Sequence, residues 1–174
     1  MNNFLLTGPR GIGKTFLVKR IIDHFSDVKM AGFFTMREEN ATVTLRAWDN
    51  FCLGDTGPKM VAFDMEERQV RKNVFEELGS WSIGRALNNA SIIVLDELGR
   101  FEIGCSTFRE RVTTAFNSYK VVIAVLKAES NPFLDGLRMR KDSFIVTVDT
   151  TNRDHMLGVL IHKIERCIKT TKSM

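Results

Sequence analysis

A chain of 174 residues with 44% hydrophobic and 26% charged residues has the composition of a globular protein. A chain of that size can bury about 70% of the surface its unfolded form exposes, which excludes a disordered chain and leads to one domain spanning residues 1–174. The net charge of +4 comes from dispersed basic residues, densest at Arg138 to Lys141 and Lys169 to Lys172; without aromatic interleaving or a basic stripe, a nucleic-acid partner is not expected.

The chain opens on Met1-Asn2-Asn3-Phe4-Leu5-Leu6, an apolar strand with no basic region before it. A cleaved leader would remove the glycine-rich loop that this strand enters, so a cytoplasmic protein is expected. Gly8-Pro9-Arg10-Gly11-Ile12-Gly13-Lys14-Thr15 fits G-x-x-x-x-G-K-[ST] at every position. Glycines let the backbone curl so that successive N–H groups face one concavity able to hold phosphates. Lys14 then reaches the outer phosphates, and the Thr15 hydroxyl stands where a phosphate-bound Mg2+ needs an oxygen. Val18, Ile21, Ile22 and Phe25 come next at helical spacing. Strand, glycine loop and helix are the setting the motif requires. The predicted nucleotide-binding set is Gly8, Pro9, Arg10, Gly11, Ile12, Gly13, Lys14, Thr15 and Phe16.

Gly32-Phe33-Phe34-Thr35 reads as a second strand, and Thr42 to Trp48 alternates polar and apolar as a half-solvated one does. With Glu38 to Ala41 as the turn, the two predict an antiparallel hairpin. Gly54, Gly57 and Pro58 mark a loop before the short strand Lys59 to Phe63. Asp64 and Glu67 have capping-box spacing, with Val70, Val74 and Leu78 on the helix that would begin there and Gly79-Ser80 interrupting it. A second piece carrying Ile83, Ala86 and Leu87 runs to Asn88-Asn89 and into Ile92-Ile93-Val94-Leu95, apolar on both faces as a central parallel strand must be.

That strand ends in Asp96-Glu97. In a parallel sheet the carboxyl ends of the strands share one edge, so both carboxylates would arrive at the phosphates. Asp96 suits the metal's hydration shell, and Glu97 suits a general base for water. Farther on, Thr107 and Glu110 suggest a second capping box, with Phe108, Val112, Ala115 and Phe116 on one stripe. Val121 to Leu126 and Phe144 to Val148 read as buried strands, and Leu157, Leu160, Ile161, Ile164 and Ile168 share one face of a last helix. No apolar run approaches the roughly 20 residues that span a bilayer, so no membrane partner is expected. Cys52, Cys105 and Cys167 are odd in number and form no C-x-x-C pair, which argues for reduced thiols and against zinc. Trp48 and Trp81 are read as packing residues.

Strands alternating with helices predict a three-layer α/β/α fold of the RecA-like P-loop NTPase type, its central sheet mainly parallel. Arginine is the usual stabiliser of charge built up on transferring phosphate. The candidates are Arg10, Arg100, Arg138, Arg140 and Arg153, with Arg100 placed nearest in sequence to the Asp-Glu pair. Lys127 and Ser130 sit past a strand end, where a sensor of the terminal phosphate would lie. Asn152 and Arg153 come after another strand's carboxyl end and offer either contact with base or ribose or a helix cap.

Asp96-Glu97-Leu98-Gly99-Arg100-Phe101-Glu102 resembles the D-E-[IV]-G-[KR]-[MF]-E segment of the cancer-related nucleoside-triphosphatase family, small P-loop enzymes that hydrolyse nucleoside triphosphates with little base preference. Gly32-Phe33-Phe34-Thr35 is similar to that family's G-F-x-T strand, and Asn152-Arg153-Asp154 to its N-R-D. The resemblance implies Mg2+-dependent hydrolysis of ATP, GTP or other triphosphates, with Glu97, Lys14 and Arg100 catalytic and Thr15 and Asp96 at the metal. Where the family continues G-F-x-T-x-E-V-R, this chain has Thr35-Met36-Arg37-Glu38, two residues short. Two other readings share the loop. One is a nucleotide or nucleoside kinase, with Arg138-Met139-Arg140 as a lid; the other is a slow module whose bound triphosphate controls a partner.

Overall fold

The computed structural model describes residues 1–171, so Lys172 of the basic tail lies outside the described residues. An eight-stranded sheet runs through the molecule in the order β5-β4-β3-β2-β6-β7-β1-β8. Its parallel half comprises β1 (Asn3–Thr7), β2 (Met30–Arg37), β6 (Ile92–Leu98), β7 (Val121–Leu126) and β8 (Ser143–Thr147). The other half is an antiparallel meander of β3 (Thr42–Asp49), β4 (Lys59–Asp64) and β5 (Gln69–Val70), hung on β2. The central strands are apolar on both faces because both are covered, and β7 is buried at every position.

One face carries α1 (Lys14–His24) and α6 (Arg153–Thr171), which pack through Leu17, Val18, Ile21, Leu160 and Ile164 onto Phe4, Leu6, Val94 and Ile123. The opposite face carries α3 (Ser80–Asn89) and α4 (Ser106–Asn117), with Phe75, Ile83, Phe108 and Val112 against Phe33, Leu45 and Leu95. This is the three-layer arrangement expected, with the predicted hairpin at β2–β3: Glu38 N–H donates to Thr42 O and Ala41 sits at φ 55. Trp48 is buried against Phe34, and none of the three cysteines is in a disulfide.

Local signals misled in three places, two of them capping boxes. Asp64 does accept the N–H groups of Glu66 and Glu67, at 2.9 and 3.1 Å. Those bonds close a β4–β5 turn, however, and Val70 lies in a strand opposite Phe63. The helix starts later, with α2 at Lys72–Val74, and runs through a π-helical turn at Phe75–Gly79 directly into α3. Gly79 is helical, with φ −62 and ψ −49, and does not interrupt it. A Cβ there would meet the Phe108 ring at 2.7 Å, so the glycine admits a neighbouring helix. At α4 no side chain of its own caps the first turn; Glu76, from the π-helical turn, accepts the Phe108 N–H at 2.9 Å. A partner that comes from another helix leaves no spacing signature. A short helix absent from the sequence reading, α5 (Pro132–Arg138), is capped by Asn131, which accepts the Leu134 N–H.

At the end of β3, buried Asp49 ties sheet to helix. One oxygen accepts the N–H groups of Phe51, Cys52 and Leu53, and the other takes a two-pronged contact from Arg85 of α3 at 3.0 and 2.8 Å. Burial pushes its pKa up, but the Leu53 N–H and Arg85 outweigh it and hold the carboxyl below the ordinary aspartate value. The Asp49→Ala variant should lose about 3 kcal/mol of unfolding free energy, because a partly exposed guanidinium and three N–H groups lose a buried acceptor. A depressed folded pKa makes Asp49's contribution fully present above the ordinary aspartate range and lost as pH falls through the lower folded value. Urea melts of the wild type and Asp49→Ala from pH 7 downward should therefore converge at the acid end.

Candidate active site

Register builds the site. Val125 of β7 pairs with Leu6 of β1 on one side and with Asp96 of β6 on the other. With strands about 4.8 Å apart, the start of the phosphate loop and the Asp-Glu pair leave the sheet along one edge. The loop then turns into α1 through Gly13, whose φ of 98 is left-handed. Gly8, at φ 135, passes so close to Val148 that a Cβ would strike that residue's carbonyl oxygen. The first N–H groups of α1 have no partner within their helix and favour an anion.

Lys14 is buried, its ammonium donating to the carbonyl oxygens of Gly8 and Pro9 at 2.9 and 2.8 Å. Asp96 is only 2% exposed, and its Oδ2 has no hydrogen-bond partner. Burial raises its pKa to about 7; the neighbouring Glu97 adds to the rise, and a hydrogen bond from Thr15 opposes it. The Glu97 N–H donates to Thr35 Oγ1 at 3.1 Å, which fixes the main chain at this carboxylate to β2. The Glu97 carboxylate is partly exposed and lies 3.5 Å from Lys127 Nζ. Glu102 is buried, accepts the Gly99 N–H at 3.0 Å and is likewise raised to about 7 by burial.

These groups line one cavity of about 620 Å³, within the range of small-molecule sites. It brings together Gly8, Arg10, Gly11, Gly13, Lys14 and Thr15 with Asp96, Glu97 and Arg100. It continues past Glu97 to Arg37, Val43, Phe63 and Met65, where Phe63 stacks on Phe101 with ring centroids 4.4 Å apart. Pro9, Ile12, Phe16, Asn152 and Arg153 are not in its lining. Phe16 and Arg153 form a separate shelf beside the loop: the Arg153 guanidinium lies 5.6 Å and that of Arg20 5.8 Å from the centroid of the half-exposed Phe16 ring. The Asn152 amide bonds back to Asp149 N–H and Thr147 O, so it closes its own turn and does not reach forward to cap α6.

Neither Arg138 nor Arg140, the predicted lid of the kinase reading, lines the cavity. Arg138 is bound to Asp135 and to the carbonyl oxygens of Lys127 and Glu129, and Arg140 to Asp142 and Phe116 O. Ser130 turns to Asp135. Thr35 belonged to a recognisable strand segment, but its hydroxyl's partner is 62 residues away. The Phe63–Phe101 stack had no signal, since it needs the β4 strand beside the turn after β6.

Among the described residues no group of three or more His, Cys, Asp or Glu could hold a metal by itself. What is present instead is the Thr15 hydroxyl, a buried carboxylate oxygen without a partner and a phosphate cradle, a donor set that fits an ion drawing most of its ligands from phosphate and water. Fold and site define a P-loop nucleotide-binding protein of the α/β class. The NTPase family model, NTPase_1, matches residues 3–161, and the chain belongs to that family. It is 30% identical to nucleoside-triphosphatase THEP1 of Thermotoga sp. (strain RQ2), across 90% of this chain and 92% of that one. The THEP1 of Thermofilum pendens is 30% identical, covering 93% and 94%. In fold it is similar to the crystal structure of Aquifex aeolicus THEP1 (TM-score 0.79, 23% identity, 94% and 99% covered). It is also similar in fold to the solution structure of a human cancer-related nucleoside triphosphatase (TM-score 0.73, 20% identity, 95% and 98% covered).

The raised Asp96 pKa has a definite sign. Between its unfolded value of 3.8 and about 7 the folded protein holds a proton that the unfolded chain has released, so this contribution to stability falls as pH rises through that window. Asp96→Asn removes the effect. Without nucleotide it should melt above the wild type at pH 8, by on the order of a few kcal/mol. The gap should close toward pH 4 in thermal unfolding.

Proposed function

We propose that the protein hydrolyses nucleoside 5'-triphosphates to diphosphate and phosphate, with Mg2+ and with little choice among bases. The single observation that carries this reading is Asp96-Glu97 lining the same cavity as Lys14 and Thr15. The phosphate loop holds the triphosphate by backbone N–H groups, and Lys14 neutralises its outer oxygens. Thr15 and Asp96 would hold the metal, directly or through water, and that ion supplies charge neutralisation on the phosphates. Glu97 takes a proton from water as the water oxygen bonds the terminal phosphorus and the bond to the diphosphate breaks. Of the predicted arginines, Arg10 and Arg100 line the cavity, as Arg37 also does, and Arg100, exposed at its wall, is the one we assign to the transferred group.

Broad base use is consistent with how the nucleoside side is built. Backbone N–H groups see only phosphate, and the shelf of Phe16, Arg20 and Arg153 offers a ring face and guanidinium planes, which stack on any base. A cytoplasmic setting and a single functional domain complete the reading. A second reading, phosphoryl transfer to an organic acceptor, is favoured by one observation: the cavity runs on past Glu97 to Phe63 and Met65, more space than one water needs.

Phosphate release from ATP, GTP, CTP and UTP, with Mg2+ or excess chelator, tests both. Turnover should stop with chelator and vary little with base. Glu97→Gln should lose at least about a hundredfold in turnover with nucleotide binding retained, as removal of a general base implies. Unchanged turnover in that variant removes Glu97 from the chemistry. Release that depends on an added nucleoside or monophosphate selects the transfer reading, and bound nucleotide with negligible turnover selects a binding module.

A further inference from the structure

Lys127 is held in position at its backbone and along its stem. Its N–H donates to Leu98 O at 2.9 Å, and its carbonyl oxygen accepts from Arg138, which also donates to Glu129 O at 3.0 Å and pairs with Asp135. The stem lies where Gly99 has no side chain; a Cβ at that position would come within 2.7 Å of Lys127 Cδ. The ammonium sits 4.7 Å from the centroid of the Phe101 ring, which is itself stacked on Phe63, and 3.5 Å from Glu97 Oε1. Nothing in the hydrolytic scheme uses this cation, yet its anchors come from β4, β6, α5 and the turns after β6 and β7.

We propose that Lys127 is the contact by which the site tells a triphosphate from a diphosphate, resting on Glu97 until a terminal phosphate draws it away. The inference rests on Glu97 facing that phosphate. A carboxylate acting through one water stands within about 6 Å of the phosphate it serves. An ammonium 3.5 Å from the same carboxylate therefore reaches the phosphate by turning its outer torsions, with its stem still over Gly99. A terminal phosphate carries close to two negative charges at pH 7 against one on the carboxylate, so the cation favours the phosphate. The other carboxylates at this wall are Glu129 and Glu102, the latter fixed on the Gly99 N–H.

The move has a chemical consequence. With a diphosphate in the loop, Lys127 stays on Glu97 and occupies the oxygen that would otherwise orient water. With a triphosphate, it leaves Glu97 free and adds positive charge where charge builds during transfer.

Calorimetric titration with a non-hydrolysable triphosphate analogue and with the diphosphate, both with Mg2+, separates the two ligands. Lys127→Met keeps the stem over Gly99 and removes the charge. It should bind the analogue at least about tenfold more weakly, the worth of a charge-assisted contact, and the diphosphate within about twofold of wild type. Equal losses for both ligands, or none for either, overturn the proposal. In the wild type, the triphosphate analogue should slow modification of Lys127 by an amine-reactive reagent, tracked by mass spectrometry, more than the diphosphate does; equal protection also overturns it. Neither readout involves turnover, so a failure here is distinct from unchanged hydrolysis in Glu97→Gln.

Discussion

Everything at this site depends on the parallel pairing of β7 with two neighbours at once. Because Val125 stands opposite both Leu6 and Asp96, two segments about ninety residues apart in the chain leave the sheet at the same height. Strands in a parallel sheet share an edge for their carboxyl ends, and an edge is where main-chain N–H groups and side-chain carboxylates can face the same solvent pocket. A slip of one residue would turn Asp96 to the other face of the sheet and leave the phosphate cradle without its acid pair.

The core makes that register stiff, and it also sets the electrostatics. Asp96 follows four buried apolar residues in β6, and the burial that makes β6 a central strand raises the pKa of its carboxyl to about 7. A carboxylate placed there costs stability in the folded protein before any ligand arrives. A metal ion would supply the positive charge it lacks, which is how binding of a metal-nucleotide complex at this edge would also stabilise the fold. Glu97, one residue on, is already at the partly exposed rim, 3.5 Å from the Lys127 ammonium.

The meander of β3, β4 and β5 contributes what the phosphate loop does not. It widens the cavity beyond the acid pair and lays Phe63 against Phe101, a platform over which Lys127 extends. Thr35, on the strand that joins the meander to the parallel half, fixes the main chain of Glu97. The shelf of Phe16, Arg20 and Arg153 lies apart from this wall.

The sequence by itself determined the phosphate loop, the Asp-Glu strand, the three-layer architecture and the hairpin, because each is specified by spacing within a few residues or by the period of its apolar positions. Signals of that local kind erred where a rival partner came from far away. Asp64 closed a sheet turn that only an existing β4 edge makes favourable, Gly79 yielded to a phenylalanine on another helix, and Glu76 capped a helix it does not belong to. Tertiary structure alone decided that Arg138 braces the 127–129 turn, that the Asn152 amide closes its own turn, and that Lys127 stands between an aromatic ring and Glu97. The reason is physical: backbone curvature and helix periodicity are written in neighbours along the chain. The position of a long charged side chain is set by whatever the packed sheet brings within its reach.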